Sequence, residues 1–415
     1  MIRAHHARRQ RGRAKSILRI LLVCVTVFAV STTSVVAIAV WQTASKIGTG
    51  IQLSQLPGHA ALPPALGATE GEVNLLLVGT DTRTGQGGGF SSADNMAASS
   101  GAGSNDVTML LHISKDHTNA TVVSFPRDLM VAVPRCLKPD GSTSAAADSV
   151  MFNTTLATGG LPCVVLTVEQ LAGIVIPYAA EISFDGVIAM SNAVGGVPVC
   201  LATAVDDNYT GLHLAAGQQT LLGSDALAFV RSRHGVGDGS DLGRISNQQV
   251  FLSALMRTIT GAGVLANPVA LYSLANAALA NMQLSDTLSN VSAPVSIALA
   301  LKAVSLPRMV FLQYPTTPDP KDPNRVVADT GPAQQIASAL QADEPVQLTG
   351  GVGRAAVAAP AGQPAGTTTP AASPDTATPN LPQASAPPTA SSGVSLPPSV
   401  TGQTAADATC TKGNN

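Results

Sequence analysis

The sequence predicts an α/β domain placed behind an N-terminal transmembrane helix and ahead of a disordered C-terminal tail. Three observations carry this. Short apolar runs (Val73–Gly79, Val107–Ile113, Ala120–Phe125, Val197–Leu201, Met309–Gln313) alternate with segments of helical pattern, among them Leu166–Leu171, Phe184–Ala193 and Pro332–Ala342. An uncharged, mostly apolar stretch, Ile20–Trp41, follows a basic N-terminus. From about Gly350 the composition shifts to Pro, Ala, Thr, Ser and Gly, which cannot build a core of its own.

Residues 1–19 hold six Arg, one Lys and no acid, and the first acidic residue is Glu70. As a helix, residues 20–41 would span about 33 Å, enough for a hydrocarbon core of about 30 Å. The basic flank then stays in the cytoplasm and everything after Trp41 lies outside the cell membrane, a single-pass arrangement. A cleaved signal peptide is the alternative, with Ala37-Ile38-Ala39 suited to a peptidase. The apolar run exceeds the usual core of about 7–15 residues, which favours an uncleaved anchor. The basic arm has no Phe, Tyr or Trp for base stacking and no DNA-reading module follows it, so no nucleic-acid partner is expected.

Residues 42–70 read as a linker and 71–345 as the extracytoplasmic domain. Val73–Gly79 is a buried strand, and Asp81 and Arg83 stand at its carboxyl end, where open α/β sheets collect ligands. Residues 84–104 are a long Gly/Ser/Ala loop, a candidate lid. The strands Val107–Ile113 and Ala120–Phe125 are joined by the polar turn Ser114–Asn119; Pro126 ends the second and puts Arg127 at its exit. Residues 138–149 form a polar loop. Ser224 can cap a helix with Ala226, Leu227, Phe229 and Val230 on its apolar face. Residues 346–415 are the disordered tail. Of five cysteines, Cys24 falls in the span. The four others, Cys136, Cys163, Cys200 and Cys410, suggest two disulfides in an exported region, with three possible pairings. The preferred one joins Cys136 to Cys163, stapling a loop, and Cys200 to Cys410. No Cys/His spacing suggests zinc.

Arginine is concentrated where chemistry is expected. Only ten arginines follow Trp41, and three of them, Arg231, Arg233 and Arg244, fall within fourteen residues. Glycines lie between them, and Asp241 stands as the N-cap of a helix carrying Ile245, Leu252, Leu255, Met256 and Ile259. Arg244 would then oppose the helix dipole, unless an anion sits at the helix start and reverses the sign. Gln248 shares its face. The plain alternative is a solvated loop with one capped helix. His112 and His234 read as structural or incidental.

These residues resemble the most recognisable motif of the LytR–CpsA–Psr family, membrane-anchored bacterial phosphotransferases that join polyprenyl-linked glycopolymers to peptidoglycan. The family pattern is Arg-x-Arg, a polar loop, Asp-x-x-Arg and a Gln pair, met here by Arg231, Arg233, Asp241, Arg244, Gln248 and Gln249. Asn74 through Gly79, Asp81 and Arg83 resemble the strand and Asp-x-Arg signature; Asn105-Asp106 and Pro126-Arg127-Asp128 resemble two further elements. Phe184-Asp-Gly-Val and Val194-Gly-Gly-Val197 resemble the middle of the family domain. Departures are Ser104, Met151 and Asn247, where relatives often carry basic residues.

The resemblance implies a central mixed β-sheet flanked by helices in three layers. It implies a phosphotransferase that moves a glycan phosphate from a polyprenyl pyrophosphate donor to a muramic acid hydroxyl of peptidoglycan, releasing polyprenyl phosphate. Asp81 and Asp106 suit a hard divalent cation, Mg²⁺ or Mn²⁺, which favours one or two carboxylates with phosphate oxygens. Asp81, Asp106, Arg127 and Arg244 are the expected catalytic residues, with Asp81 as the proton acceptor. Arg83, Arg127, Arg231, Arg233, Arg244 and Gln248 are the expected pyrophosphate ligands. Sixteen Arg against seven Lys, with abundant Ala and Gly, suggests a GC-rich genome. With the family analogy, that favours an actinobacterial source and arabinogalactan as the polymer, with teichoic acid or capsule as alternatives. A polyprenyl pyrophosphate hydrolase and a non-catalytic envelope binding protein are the competing functions.

Overall fold

The computed structural model describes residues 50–54, 71–80, 103–138, 140–261, 268–289, 292–359 and 393–414. The expected transmembrane helix, the basic arm, most of the linker, and Asp81 and Arg83 lie outside the described residues. In chain order the strands are β1 (Val73–Thr80), β2 (Asn105–Ile113), β3 (Ala120–Phe125), β4 (Met130–Val133), β5 (Ala147–Met151), β6 (Tyr178–Ile182), β7 (Val197–Leu201), β8 (Val205–Asp207), β9 (Leu212–Leu214), β10 (Gly217–Leu221), β11 (Met282–Leu284), β12 (Met309–Gln313), β13 (Thr316–Pro318), β14 (Val326–Ala328), β15 (Val346–Gln347), β16 (Ala356–Ala358), β17 (Val394–Ser395), β18 (Gly402–Thr404) and β19 (Thr409–Thr411). The helices are α1 (Thr155–Ala172), α2 (Phe184–Ala193), α3 (Gly223–Arg231), α4 (Asp241–Gly261), α5 (Pro268–Asn281), α6 (Ser292–Ala303) and α7 (Thr330–Gln341).

A seven-stranded mixed sheet in the order β11-β6-β1-β2-β3-β12-β18 forms the centre. Strands β6, β1, β3 and β12 run one way; β11, β2 and β18 run against them. Side chains alternate across the sheet with the period of two that a strand imposes. Leu76 and Val78 of β1 and Leu110 of β2 enter a core with Val164, Val165 and Val168 of α1 and Ile336 and Leu340 of α7. Val73, Leu75 and Leu77 face a second core with Leu252 and Met256 of α4 and Ile297 and Ala300 of α6. The three-layer arrangement therefore follows from apolar residues on both faces. Each fully buried Leu or Val stabilises it by roughly 1.5–3 kcal/mol.

A four-stranded sheet, β10-β7-β19-β16, lies against the other flank of α4, with Val197, Val199, Phe229 and Phe251 in a third core. Helix α4 is thus covered on several sides, and its buried polar residues need partners. Asn247 donates to the Phe229 carbonyl at 2.7 Å and accepts from the Thr411 hydroxyl at 2.8 Å. Ser253 accepts from Gln403 at 2.7 Å.

Several expectations are corrected. Part of residues 346–415 is folded: β15 to β19 all fall there, with 360–392 outside the described residues. The physical reason is strand addition at long range. β18 extends the central sheet beside β12, and β19 inserts between β7 and β16, held by the Cys200–Cys410 disulfide. Composition alone cannot register such pairing. The linker is also partly docked: the Ile51 N–H donates to the Leu284 carbonyl at 2.9 Å and Ile51 packs on the first core. Helix α1 starts eleven residues earlier than the expected Leu166, because Gly159 and Gly160 only kink it ahead of Pro162. The second disulfide, Cys136–Cys163, closes on that kink. Helix Phe152–Ala172 is long and apolar enough to cross a membrane, but it is 67% buried and serves as core. Residues 147–149 of the expected polar loop belong to β5, paired with β4. Ser224 lies inside α3 and makes no cap; Leu222 is the N-cap.

Candidate functional site

The carboxyl ends of β1, β3 and β6 open on one cavity of about 400 Å³. Its lining includes Thr80 from β1, Arg127 just past β3, Ser183 just past β6 and Asp106 at the start of β2. The far wall comes from α3, α4 and the segment between them, which bring Arg231, Arg233, Arg244 and Gln248. Residues as distant in the chain as Thr80 and Gln248 therefore share one cavity. The cavity continues between apolar side chains of β1, α2 and α4, including Leu77, Phe184, Val187, Met190, Leu252 and Leu255.

Charged groups interlock at the polar end. Arg127 Nη1 donates to Asp106 Oδ1 at 2.8 Å. Arg244 Nη2 donates to the Asp106 carbonyl at 2.6 Å and lies 2.7 Å from Asp241 Oδ1. Arg127 Nε lies 3.6 Å from Asp128 and 3.9 Å from Asp241. The Arg231 guanidinium sits 4.3 Å over the Phe184 ring, a cation–π contact. Gln248 donates to the Val230 carbonyl at 2.8 Å, so it also ties α4 to the end of α3. Asp241 is not the N-cap. Ser240 caps the helix: its hydroxyl accepts from the Gly243 N–H and its carbonyl from the Arg244 N–H, both at 3.1 Å. That frees the Asp241 carboxylate for Arg244.

The charges at the polar end are strongly coupled. Burial opposes the Arg127 charge, but Asp106, Asp128 and Asp241 hold its pKa above the ordinary guanidinium value. Arg233 is pushed down, by burial first and then by Arg127 and Arg244, with Asp241 and Asp128 opposing. Burial, reinforced by Asp241, raises Asp128. The Nε–H groups of Arg127, Arg233 and Arg244 are buried with no hydrogen-bond acceptor among the described residues. Buried donors of this kind are rare unless a ligand meets them. A group rich in acceptor oxygens in the cavity would meet the guanidinium groups that line it and relieve their mutual repulsion.

Sequence reasoning missed the group that holds the arginine segment in place. Asp207, buried at the end of β8, accepts from the Ser232 hydroxyl at 2.6 Å and from the N–H groups of Tyr209, Arg233 and Gly235 at 3.0, 3.1 and 3.2 Å. A Cβ at Gly235 would lie 2.8 Å from the Asp207 Cβ, so only glycine allows this approach. Burial works against the Asp207 charge, but the donated hydrogen bonds outweigh it and hold the carboxyl below its ordinary value. The folded value being the lower one, its stabilisation is complete above the unfolded-chain value of 3.8 and is lost as pH falls through the folded value. Asp207→Asn is expected to cost about 1–3 kcal/mol at neutral pH. In urea titrations the variant should lose less stability than wild type on acidification below about pH 4; parallel acid profiles would contradict this. No spacing signal in Val205-Asp-Asp-Asn-Tyr209 foretells the role. His234 also lines the cavity, contrary to its reading as incidental, whereas His112 is structural as expected, bonded to Asn74 at 2.7 Å and Asp343 at 3.1 Å.

The site is a cluster of guanidinium and carboxyl groups at one end of an apolar cleft in an α/β domain. The sequence profile of the LytR_cpsA_psr family matches residues 35–342, and the chain belongs to that family. It is 34% identical over 229 residues to cell wall biosynthesis protein LcpA of Corynebacterium glutamicum, covering 51% of this chain and 44% of LcpA. It is 28% identical over 185 residues to the polyisoprenyl-teichoic acid–peptidoglycan teichoic acid transferase TagU of Bacillus mycoides, covering 45% of this chain and 52% of TagU. The chain thus matches about half the length of these curated relatives. Among solved structures, protein gbs0355 of Streptococcus agalactiae superposes with a TM-score of 0.53 at 19% identity, over 66% of this chain and 87% of that one, a likeness of fold.

Proposed function

We propose that this protein is a phosphotransferase that attaches a polyprenyl-pyrophosphate-linked glycopolymer to peptidoglycan. The single observation that carries the reading is the convergence of Arg127, Arg231, Arg233 and Arg244 on the polar end of an apolar cavity. A lipid diphosphate matches both halves: oxygens for the guanidinium groups, and methylenes whose burial stabilises by about 0.8 kcal/mol each. Family membership and the names of LcpA and TagU support the same reading.

In this scheme an acceptor hydroxyl oxygen, that of muramic acid, attacks the phosphorus that bears the sugar. The bond from that phosphorus to the bridging oxygen breaks and polyprenyl phosphate leaves. Arg127, Arg231, Arg233 and Arg244 hold the diphosphate and neutralise charge as the bridge opens. Asp81 takes the hydroxyl proton, and Arg83 and Gln248 complete the phosphate contacts. Among the described residues no group of three or more His, Cys, Asp or Glu could hold a metal. The donor set at Asp106, one carboxylate on the cavity wall beside the expected phosphate oxygens, nevertheless fits Mg²⁺ or Mn²⁺, which Asp81 and Asp106 would share. When bound, the metal supplies Lewis-acid stabilisation of the phosphoryl oxygens. Arabinogalactan is the favoured polymer, and residues 20–41 anchor the domain on the outer face of the cell membrane.

Purified full-length protein given lipid-linked donor, peptidoglycan fragments and Mg²⁺ should release polyprenyl phosphate together with glycan joined to the wall fragment. EDTA should stop the release and added Mg²⁺ or Mn²⁺ restore it. Release of free glycan phosphate without attachment would replace the transferase by a hydrolase, and intact donor would overturn both.

A further inference from the structure

Only 3% of this chain is aromatic, and among the large apolar side chains of the described residues Tyr209 is the most exposed, at 83%. It sits in the turn between β8 and β9, on the rim of the cavity. Its ring lies 4.3 Å from that of His234, at 34°. The pair is not held by chance contacts. Asp207 accepts from the backbone N–H groups of both Tyr209 and Arg233, so one buried carboxylate fixes the backbone that carries the aromatic ring relative to the backbone that carries a guanidinium of the pocket. The His234 carbonyl accepts from Asn414 Nδ2 at 3.0 Å, which steadies the other ring.

A solvent-facing aromatic plate beside an oxyanion pocket has a definite chemical complement. The C–H face of a pyranose is apolar and packs on an aromatic ring, while its hydroxyls stay solvated at the edge. Tyrosine offers such area with little side-chain freedom to lose. We propose that Tyr209 and His234 form a stacking plate for the sugar ring next to the phosphate held by Arg233. The inference rests on the diphosphate reading above. The ring could belong to the donor, as the first sugar on its phosphate, or to the acceptor glycan; the chemistry is shared.

Calorimetric titration of the full-length protein in detergent tests it with two probes, farnesyl diphosphate and farnesyl-diphosphate-linked N-acetylglucosamine. Tyr209→Ala should weaken the sugar-bearing probe by about tenfold and leave plain farnesyl diphosphate within about twofold; Tyr209→Phe should match wild type on both. If donor binding is spared but the KM for peptidoglycan fragments rises about tenfold in Tyr209→Ala alone, the plate serves the acceptor sugar. If the ratio of the two probe affinities and the acceptor KM are both unmoved, the plate is refuted while the diphosphate reading stands. Wild-type protein that binds neither probe would overturn both.

Discussion

Replacing Arg244 with alanine is expected to cost both activity and stability. Its side chain is only 6% exposed and holds two groups at once, the Asp241 carboxylate and the Asp106 carbonyl. Removing it leaves Asp241 buried with Arg127 at 3.9 Å and the charge of Arg233, a loss of about 3–5 kcal/mol for a broken buried pair. Transfer should fall by at least about 10²–10³-fold, the usual effect of deleting a donor that stabilises transition-state charge. A folding defect alone could mimic this, so Arg244→Lys is the sharper variant. Lysine keeps the charge and much of the pairing, since the single nitrogen Nη2 meets both Asp241 and Asp106, but it lacks the other donors of the planar guanidinium. Arg244→Lys should melt close to wild type and still transfer slowly. A lysine variant with wild-type kcat would remove Arg244 from the chemistry.

The second large effect concerns the C-terminal strand. β19 lies between β7 and β16, and the residues after it brace the arginine segment: Gly237 N–H donates to the Lys412 carbonyl at 2.9 Å and Asn414 N–H to the Gly235 carbonyl at 3.0 Å. Gly237 itself has φ +59°, which a side chain would strain. Replacing Cys200 and Cys410 by serine opens a loop of 210 residues, worth about 5 kcal/mol by loop-closure entropy; the 27-residue loop of Cys136 and Cys163 is worth about 3.5 kcal/mol. The Cys200→Ser/Cys410→Ser protein should therefore melt lowest of the three, and the Gly237 amide should exchange its hydrogen faster. Unchanged melting and exchange would show that the C-terminal strand does not support the site.

Much of the central sheet was legible because its strands repeat apolar residues on both faces and stop close to Gly79 or at Pro126. β3, β7, β12 and α2 begin and end where the pattern says. β6 was not, since Tyr178-Ala-Ala-Glu-Ile has no run that distinguishes a short strand from a helix, and only its parallel pairing with β1 makes it one. The arginines were legible as a cluster in sequence, and the structure brings Arg127, Arg231, Arg233 and Arg244 to one cavity with Asp106. The anchor Asp207, the cap Ser240 and the plate Tyr209 were not, because each acts through contacts closed by folding. Asn247, which departs from the family pattern, illustrates the same point: it spends its side chain on Phe229 and Thr411, joining α4 to the C-terminal strand.

In the proposed function, one pocket recognises a diphosphate through several guanidinium groups together. Comparing farnesyl diphosphate with farnesyl monophosphate by calorimetry, in wild type and in Arg127→Lys and Arg244→Lys, tests this most directly. The diphosphate should bind at least about tenfold more tightly than the monophosphate, and each lysine variant should erase most of that preference. Equal affinity for the two lipids in wild type, or a preference that survives in both variants, would contradict it.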